Sequence, residues 1–313
     1  MNLKELLHFA SDKANFQDLQ AYLRFCRNYL EFIASGGLQA VIVSQNEQQY
    51  RFYQYKKDGS FNITRPINAN LMYDAESAFR ITSEFLPAIK AARDIPDSDS
   101  QSRAVISNSI YTIQQTIGAA LDALPAGKSN TARKINGDLF ERLIRLLIVA
   151  LGVDCTTGTV SIPVQIDGVE QFRMSYQHDL IIRFEEVVKA IGSVKTSSKD
   201  RLDKIFIDKF LYSKLTETSL PHVAIFLNDV QRKNTKKARH YGINATFLPG
   251  HFKGYTVKLN PLDGVYYCDI RPNMATDPLL KQHIRTIDHF FCTDLWRFLE
   301  QTKGAQLKVA QTE

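Results

Sequence analysis

The chain has 313 residues, which is enough for one substantial hydrophobic core or for two small domains. Hydrophobic residues make up 44% and charged residues 23% of the chain, as in ordinary globular proteins, which argues against a fibrous or disordered chain. The formal net charge of +6 favours a polyanionic partner only weakly, because an excess of this size is also common in proteins that bind no nucleic acid.

Cysteine spacing and hydropathy set further limits. The four cysteines (Cys26, Cys155, Cys268 and Cys292) form no C-x-x-C pair, so we expect free thiols in a reducing compartment rather than a zinc site. The first residues are amphipathic and charged, unlike a signal peptide. The longest apolar run, near 143–152, contains Arg145 and is too short to span a bilayer. We therefore expect a cytoplasmic protein without a membrane partner.

The first third of the chain is predicted to be mostly helical with a few strands. Apolar residues recur at helical spacing in 3–35, and helix is also predicted for 75–93. Short strands are predicted at 38–44 and 50–56. The polar run 94–101 is the best domain boundary, so we predict an N-terminal subdomain (1–102) and a second domain (103–313). The first could contact outer base pairs or a second subunit.

The second segment alternates helices and strands. Helices are predicted at 105–124 and 137–151, a hairpin turns at Asp167-Gly168, and a fully apolar strand covers 223–227. This order predicts an α/β or α+β fold with a central mixed sheet flanked by helices.

The most informative stretch is 177–215, which reads as strand, tight turn, strand, loop and helix. A turn at Glu185-Glu186 would bring Asp179, at the start of the first strand, near Lys195, at the end of the second. The period of two places Ser193 on the same strand face as Lys195. A carboxylate beside a lysine can hold a divalent metal and an attacking water, the minimum for cutting a phosphodiester. Taken singly, Asp179 could be a turn residue and Lys195 a solvated lysine.

This pattern resembles the PD-(D/E)xK nuclease core, with His178-Asp179 in place of Pro-Asp and Ser193-Val194-Lys195 in place of Glu-x-Lys. Ser-x-Lys is typical of the type II restriction endonucleases that cut CCGG- or CCNGG-containing sites, in which the missing acid has moved to the next helix. Asp208 has the matching position, although that branch usually has Glu. An earlier helix of the family supplies a further acid, which Glu141 matches; a solvated glutamate is the alternative.

The resemblance implies roles for these residues. Asp179, Asp208 and Glu141 would be ligands of Mg²⁺, Lys195 would act on the water or the phosphate, and Ser193 would be a spacer or contact a water. A homodimer, or a tetramer formed by two such dimers, would cut a palindromic duplex site such as TCCNGGA in a bacterial cytoplasm. The alternatives are a DNA-binding protein with an inactive nuclease core and a structure-directed nuclease.

Basic residues near this stretch are candidates for DNA contacts. The resemblance assigns base recognition to Lys199, Asp200 and Arg201, through hydrogen bonds to guanine and cytosine in the major groove. A capped helix start with solvated charges is the other interpretation. A later loop could contact the DNA backbone or simply be solvated. Its basic residues are Arg232, Lys233, Lys236, Lys237 and Arg239. His178, His222 and His251 lack metal-ligand spacing and are expected to be structural.

Overall fold

The computed structural model describes residues 1–56, 63–125, 127–199, 201–233 and 241–301, and the backbone of 309–310. Its centre is a seven-stranded sheet with the order β11-β10-β7-β6-β5-β4-β12. The strands of this sheet are β4 (Asp154–Ile166), β5 (Val169–Phe184), β6 (Val187–Ser197), β7 (His222–Asn228), β10 (Gly264–Tyr267), β11 (Ile284–Thr286) and β12 (Val309–Ala310). Two smaller sheets contain β1 (Leu38–Val43), β2 (Tyr50–Tyr55) and β3 (Ile67–Asn68), and β8 (Val230–Arg232) and β9 (Ile243–Ala245).

Helices cover both faces of the central sheet. They are α1 (Leu3–Ser11), α2 (Leu19–Phe32), α3 (Phe85–Lys90), α4 (Ser100–Leu121), α5 (Ser129–Ala150), α6 (Leu202–Thr216), α7 (Pro249–Lys258), α8 (Pro272–Thr276), α9 (Leu280–His283), α10 (Ile287–His289) and α11 (Leu295–Glu300). Among the described residues, none of these helices is both long and apolar enough to cross a membrane.

The central sheet is mixed, as the sequence predicts. Strands β6, β7, β10 and β11 are parallel to one another, whereas β4, β5 and β6 form an antiparallel meander. Every residue of β7 is buried, which explains its continuous apolar sequence. The carboxyl ends of β6 and β7 therefore lie at the same edge of the sheet, beside each other.

Helices α5 and α6 pack on opposite faces of the central sheet, each over its own hydrophobic core. On one face, Leu143 of α5 belongs to the same core as Val194 and Ile225. On the other face, Phe206 of α6 packs in a second core with Phe226. Since Ile225 and Phe226 are consecutive in β7, their side chains point to opposite faces, and so do the two helices.

The N-terminal third does not form a separate core. Helix α4 begins at Ser100, and its residues share one core with Leu6 and Leu30 of the first two helices and with Leu143 of α5. The division at residue 102 stays a prediction, but packing between the segments on either side of it is continuous.

Two helix predictions were wrong at their starts. Residues 75–78 form a turn rather than a helix, and Asp74 and Ser77 exchange side-chain-to-backbone hydrogen bonds of 2.8 and 3.0 Å across it. Conversely, α5 begins at Ser129, eight residues before the predicted start at residue 137.

Candidate active site

A tight hairpin turn positions the central pair of strands. Phe184 of β5 pairs with Val187 of β6, leaving Glu185 and Glu186 as a two-residue turn. Both have positive φ, 48° and 64°, as a type I′ hairpin turn requires. The predicted turn position is thus confirmed, although glutamate is an unusual residue in this conformation.

A bulge then sets the direction of Asp179. From the pair that contains Ile181 to the pair that contains His178, β4 moves along by two residues, whereas β5 moves along by three. The extra residue in β5 changes the alternation of its side chains. Consequently, His178 packs with Tyr212 on the α6 face, whereas Leu180 packs in the α5-side core. Asp179 lies inside this bulge, one residue past the last β5–β6 pair, Leu180 with Gly192.

The carboxylate of Asp179 is fixed by two donors from β6. Its Oδ2 accepts a 2.8 Å hydrogen bond from the backbone N–H of Val194 and a 2.5 Å hydrogen bond from Nζ of Lys195. Only 10% of the Asp179 side chain is exposed, so this carboxylate is largely shielded from water. The proximity of Asp179 and Lys195 that the sequence suggests is present in the structure.

Helix α5 brings a second carboxylate to the same lysine. Oε1 of Glu141 lies 2.8 Å from Nζ of Lys195. Burial and the nearby charge of Asp179 raise the pKa of Glu141 above its ordinary value, although Lys195 opposes this effect. Burial alone would lower the pKa of Lys195, but the two carboxylates raise it, so the lysine remains an ammonium. The three side chains form a compact acid–lysine–acid cluster.

Asp208 lies on α6, apart from the acid–lysine–acid cluster. Its Oδ2 forms a 2.6 Å ion pair with Lys204, one helical turn earlier. The charge of Asp208 adds to burial in raising the pKa of Tyr176, which places this carboxylate on the α6 side of β5. Within the described residues, no hydrogen bond or ion pair joins Asp208 to Asp179, Glu141 or Lys195. The structure therefore brings together two of the three candidate metal ligands.

The crystal structure of the Type IIP restriction endonuclease Kpn2I is similar over 97% of this chain and 99% of that chain, with a TM-score of 0.66 and 17% sequence identity. The chain has the restriction-endonuclease fold. A weaker similarity, with a TM-score of 0.41 and 10% identity, covers 72% of this chain and 90% of the PspGI chain in its complex with substrate DNA. No protein family and no curated protein matched the sequence.

The remaining candidate side chains, a serine and three histidines, form no hydrogen bond or ion pair with the acid–lysine–acid cluster among the described residues. Ser193 is half-buried on β6 and forms no side-chain hydrogen bond among the described residues. His178 and His222 are buried together with Tyr212, and burial lowers their pKa values to about 3 and about 4. Both histidines are therefore neutral packing residues. His251 is exposed, 3.8 Å from Asp203.

The loop after β6 extends from the cluster to the surface. Lys199 and Arg201 have exposed side chains without ion pairs in the described part of the chain, and the backbone N–H of Arg201 bonds to the carbonyl of Ser198. The hydroxyl groups of Ser197 and Ser198 lie 3.5 and 3.2 Å from that of Thr246, which holds the loop in place. Asp200 lies outside the described residues.

The second candidate DNA-binding segment is described in part. Arg232 and Lys233, at the end of β8, are exposed, and one guanidinium nitrogen of Arg232 donates to the carbonyl of Ile63 at 3.3 Å. The other three basic candidates, Lys236, Lys237 and Arg239, lie outside the described residues. No sequence pattern indicates the contact between Thr246 and the loop after β6, because this contact joins segments that are distant along the chain.

Proposed function

We propose that this protein is a type II restriction endonuclease that hydrolyses phosphodiester bonds in double-stranded DNA at a specific palindromic site. The observation that carries the proposal is the convergence of Asp179, Glu141 and Lys195 at the open end of the β5–β6 hairpin. The similarity in fold to Kpn2I supports it, since the cluster occupies the central sheet of a fold that also supports restriction endonucleases.

The chemistry of the cluster suits a magnesium ion. Asp179 and Glu141 offer carboxylate oxygens, the hard ligands that Mg²⁺ prefers, and both oxygens contact the same ammonium group. Burial and the charge of Asp179 raise the pKa of Glu141, and an additional positive charge here would stabilise its ionised form. When bound, Mg²⁺ would lower the pKa of a water molecule and stabilise negative charge on the phosphate.

The chain's own residues would position the reactants. Asp179 is held by the Val194 N–H, so its free oxygen has a fixed direction. Lys195, kept protonated by the two carboxylates, would donate a hydrogen bond to the attacking water or to an oxygen of the scissile phosphate. Attack of the water on phosphorus forms a new P–O bond and breaks the P–O bond to the leaving sugar oxygen. The water loses one proton to solvent, and the leaving oxygen takes up one proton from solvent to become a hydroxyl.

Asp208 is proposed as a third ligand that joins on metal or DNA binding. It would first leave Lys204, an exposed lysine whose pairing with it is worth only about 0–1 kcal/mol. Ser193 would then act as a spacer, because its hydroxyl is a weaker ligand than the carboxylate that many related nucleases carry there.

Sequence recognition is assigned to the loop after β6. The guanidinium of Arg201 and the ammonium of Lys199, which form no ion pair with any described residue, could donate to guanine O6 and N7, and Asp200 could accept from cytosine N4. Arg232 and Lys233, with Lys236, Lys237 and Arg239, would contact phosphates. The proposed site contains CCGG or CCNGG, for example TCCNGGA, and a homodimer would present one active site to each strand.

Plasmid cleavage tests this proposal. With Mg²⁺, the wild-type protein should convert plasmid DNA into discrete fragments, and sequencing of their ends should give one palindromic site. A smear of products would favour a structure-directed nuclease. Specific DNA binding without cleavage under any divalent metal would favour a DNA-binding protein with an inactive core. Replacing Arg201 by alanine should weaken sequence preference, and an unchanged fragment pattern would contradict its assignment.

A further inference from the structure

The β8–β9 hairpin, between the central sheet and the N-terminal sheet, has one covered face and one open face. Val230 and Ile243 lie on the covered face, in a small core with Tyr50 and Phe52 of β2. Gln231 pairs directly with Asn244, and the period of two places both on the opposite face. Gln231 is half-buried and Asn244 is exposed. Neither amide forms a hydrogen bond within the described residues.

The N-terminal sheet holds this hairpin rigidly. The side-chain amide of Asn46 accepts from the N–H of Ile243 and donates to its carbonyl, both at 2.9 Å. The backbone N–H of Gln45 donates to the carbonyl of Tyr241 at 2.9 Å, and the rings of Tyr241 and Phe52 are in contact. A hairpin clamped in this way can present side chains at a fixed position without reorganising, which suits a recognition element.

The open face points toward the loop after β6. Thr246 follows Asn244 by two residues, and its N–H continues the ladder by donating to the carbonyl of Asp229. Thr246 therefore lies on the same side of the hairpin as Asn244. Its hydroxyl is the group that contacts Ser197 and Ser198. Through Thr246, the hairpin that carries the two amides is therefore joined to the loop that carries Lys199 and Arg201.

From this geometry we propose that Gln231 and Asn244 determine specificity outside the central base pairs, by binding the edge of an A·T pair in the major groove. The inference rests on the proposed function and deepens it. A side-chain amide matches adenine, because it can accept from N6 and donate to N7 at the same time. The exposed Lys233 follows Gln231 by two residues and so lies on the same face, where its ammonium could contact a phosphate. Arg232 lies on the covered face, where its guanidinium donates to the carbonyl of Ile63. The N-terminal sheet is then the support of a recognition element.

A selection experiment tests the inference. Duplexes with a fixed CCGG or CCNGG centre and randomised flanks are incubated with the full chain without metal, and bound duplexes are sequenced. We expect the wild-type protein to select A·T at one symmetric flanking position. Asn244→Ala and Gln231→Ala should each reduce that preference roughly tenfold or more while the preference at the centre stays. The salt dependence of binding should not change, because a base contact releases no counterions.

Gln282→Ala is the matched control. Gln282 is an exposed amide on α9, which leads into the start of β11, so it lies at the end of the parallel strands opposite to the carboxyl ends of β6 and β7. The Gln282→Ala protein should select the same flanking base pairs as the wild type. Flanking preferences that are unchanged in both hairpin variants, or absent in the wild type, would overturn the inference. Absence of cleavage by the wild-type protein with Mg²⁺ would instead overturn the proposed nuclease activity and leave the selection result valid, since the selection depends on binding alone.

Discussion

Replacing Lys195 by methionine removes the charge that joins the two carboxylates and keeps most of the side chain's apolar stem. The structure predicts two separate losses. Asp179 and Glu141 lose hydrogen bonds of 2.5 and 2.8 Å from the same ammonium, and a group that could donate to the attacking water or the phosphate disappears. One loss affects folding and the other affects the reaction, so they can be measured independently.

The size of each loss follows from the surroundings of the lysine. A hydrogen bond to a charged group contributes about 1.5–3 kcal/mol when it is buried. Here Lys195 and Glu141 are 29% and 30% exposed, and water can replace part of both bonds. We therefore expect the free energy of unfolding to fall by about 2 kcal/mol. For cleavage, loss of one preorganised donor reduces the rate by about 10²–10³-fold.

Plasmid cleavage with Mg²⁺, thermal unfolding and binding of a labelled duplex without metal separate the two effects. Lys195→Met should bind DNA with near wild-type affinity and cleave at least about 100-fold more slowly. Lys253→Met is the control, because Lys253 also forms a 2.8 Å ion pair, with Asp277, outside the cluster. Cleavage by Lys195→Met at the control's rate would refute the reasoning, since Lys195 would then take no part in the reaction.

Substitutions at the three acids provide further tests. Asp179→Asn keeps an acceptor for the Val194 N–H but loses the charge, so cleavage should fall at least about 100-fold while the protein still folds; a plasmid assay and a melting curve measure both. The raised pKa of Glu141 means that the folded state binds a proton more tightly than the unfolded chain. The contribution of this group to the free energy of unfolding should therefore be present at acid pH and fall as the pH rises from about 4 through the raised pKa. Glu141→Gln should flatten this part of the curve of unfolding free energy against pH. Equal curves for the wild type and the variant would contradict the assignment. Asp208→Ala should raise the Mg²⁺ concentration needed for half-maximal cleavage about tenfold, with Asp208→Glu restoring it, and should change stability by less than about 1 kcal/mol because its pair with Lys204 is exposed. An unchanged metal requirement would remove Asp208 from the site.

The central hairpin was predictable because its signals are local. The apolar run before Glu185 and the alternation after Glu186 fix two strands and a turn, and the structure has both strands and that turn. The mixed sheet follows from the order of strands and helices, and the fold comparison bears it out. Asp179 and Lys195 could be paired for the same reason, since a two-residue turn leaves few possible registers.

The rest depends on contacts between distant segments. Nothing local distinguishes Glu141 from a solvated helix glutamate, and its role becomes visible only when α5 packs against β6 and brings it to Lys195. The bulge at Asp179 has no sequence signature either, because it arises from a mismatch of one residue between β4 and β5. Similarly, Asn46 and Ile243 are far apart in the chain, so their paired hydrogen bonds could not be anticipated.

The position of Asp208 limits how a complete metal site could form. Glu141 and Asp208 belong to helices on opposite faces of the central sheet, so they can meet only where the sheet is open. The described β5–β6 ladder ends at Leu180 and Gly192, directly before Asp179, and in the proposed site this end of the hairpin would be where residues of both helices meet the ion. The pair with Lys204 opposes the movement by at most about 1 kcal/mol, less than a carboxylate gains by binding a divalent cation in a half-buried site. In the proposed mechanism, the ion pair with Lys204 would therefore not by itself prevent Asp208 from joining an ion held by Asp179 and Glu141.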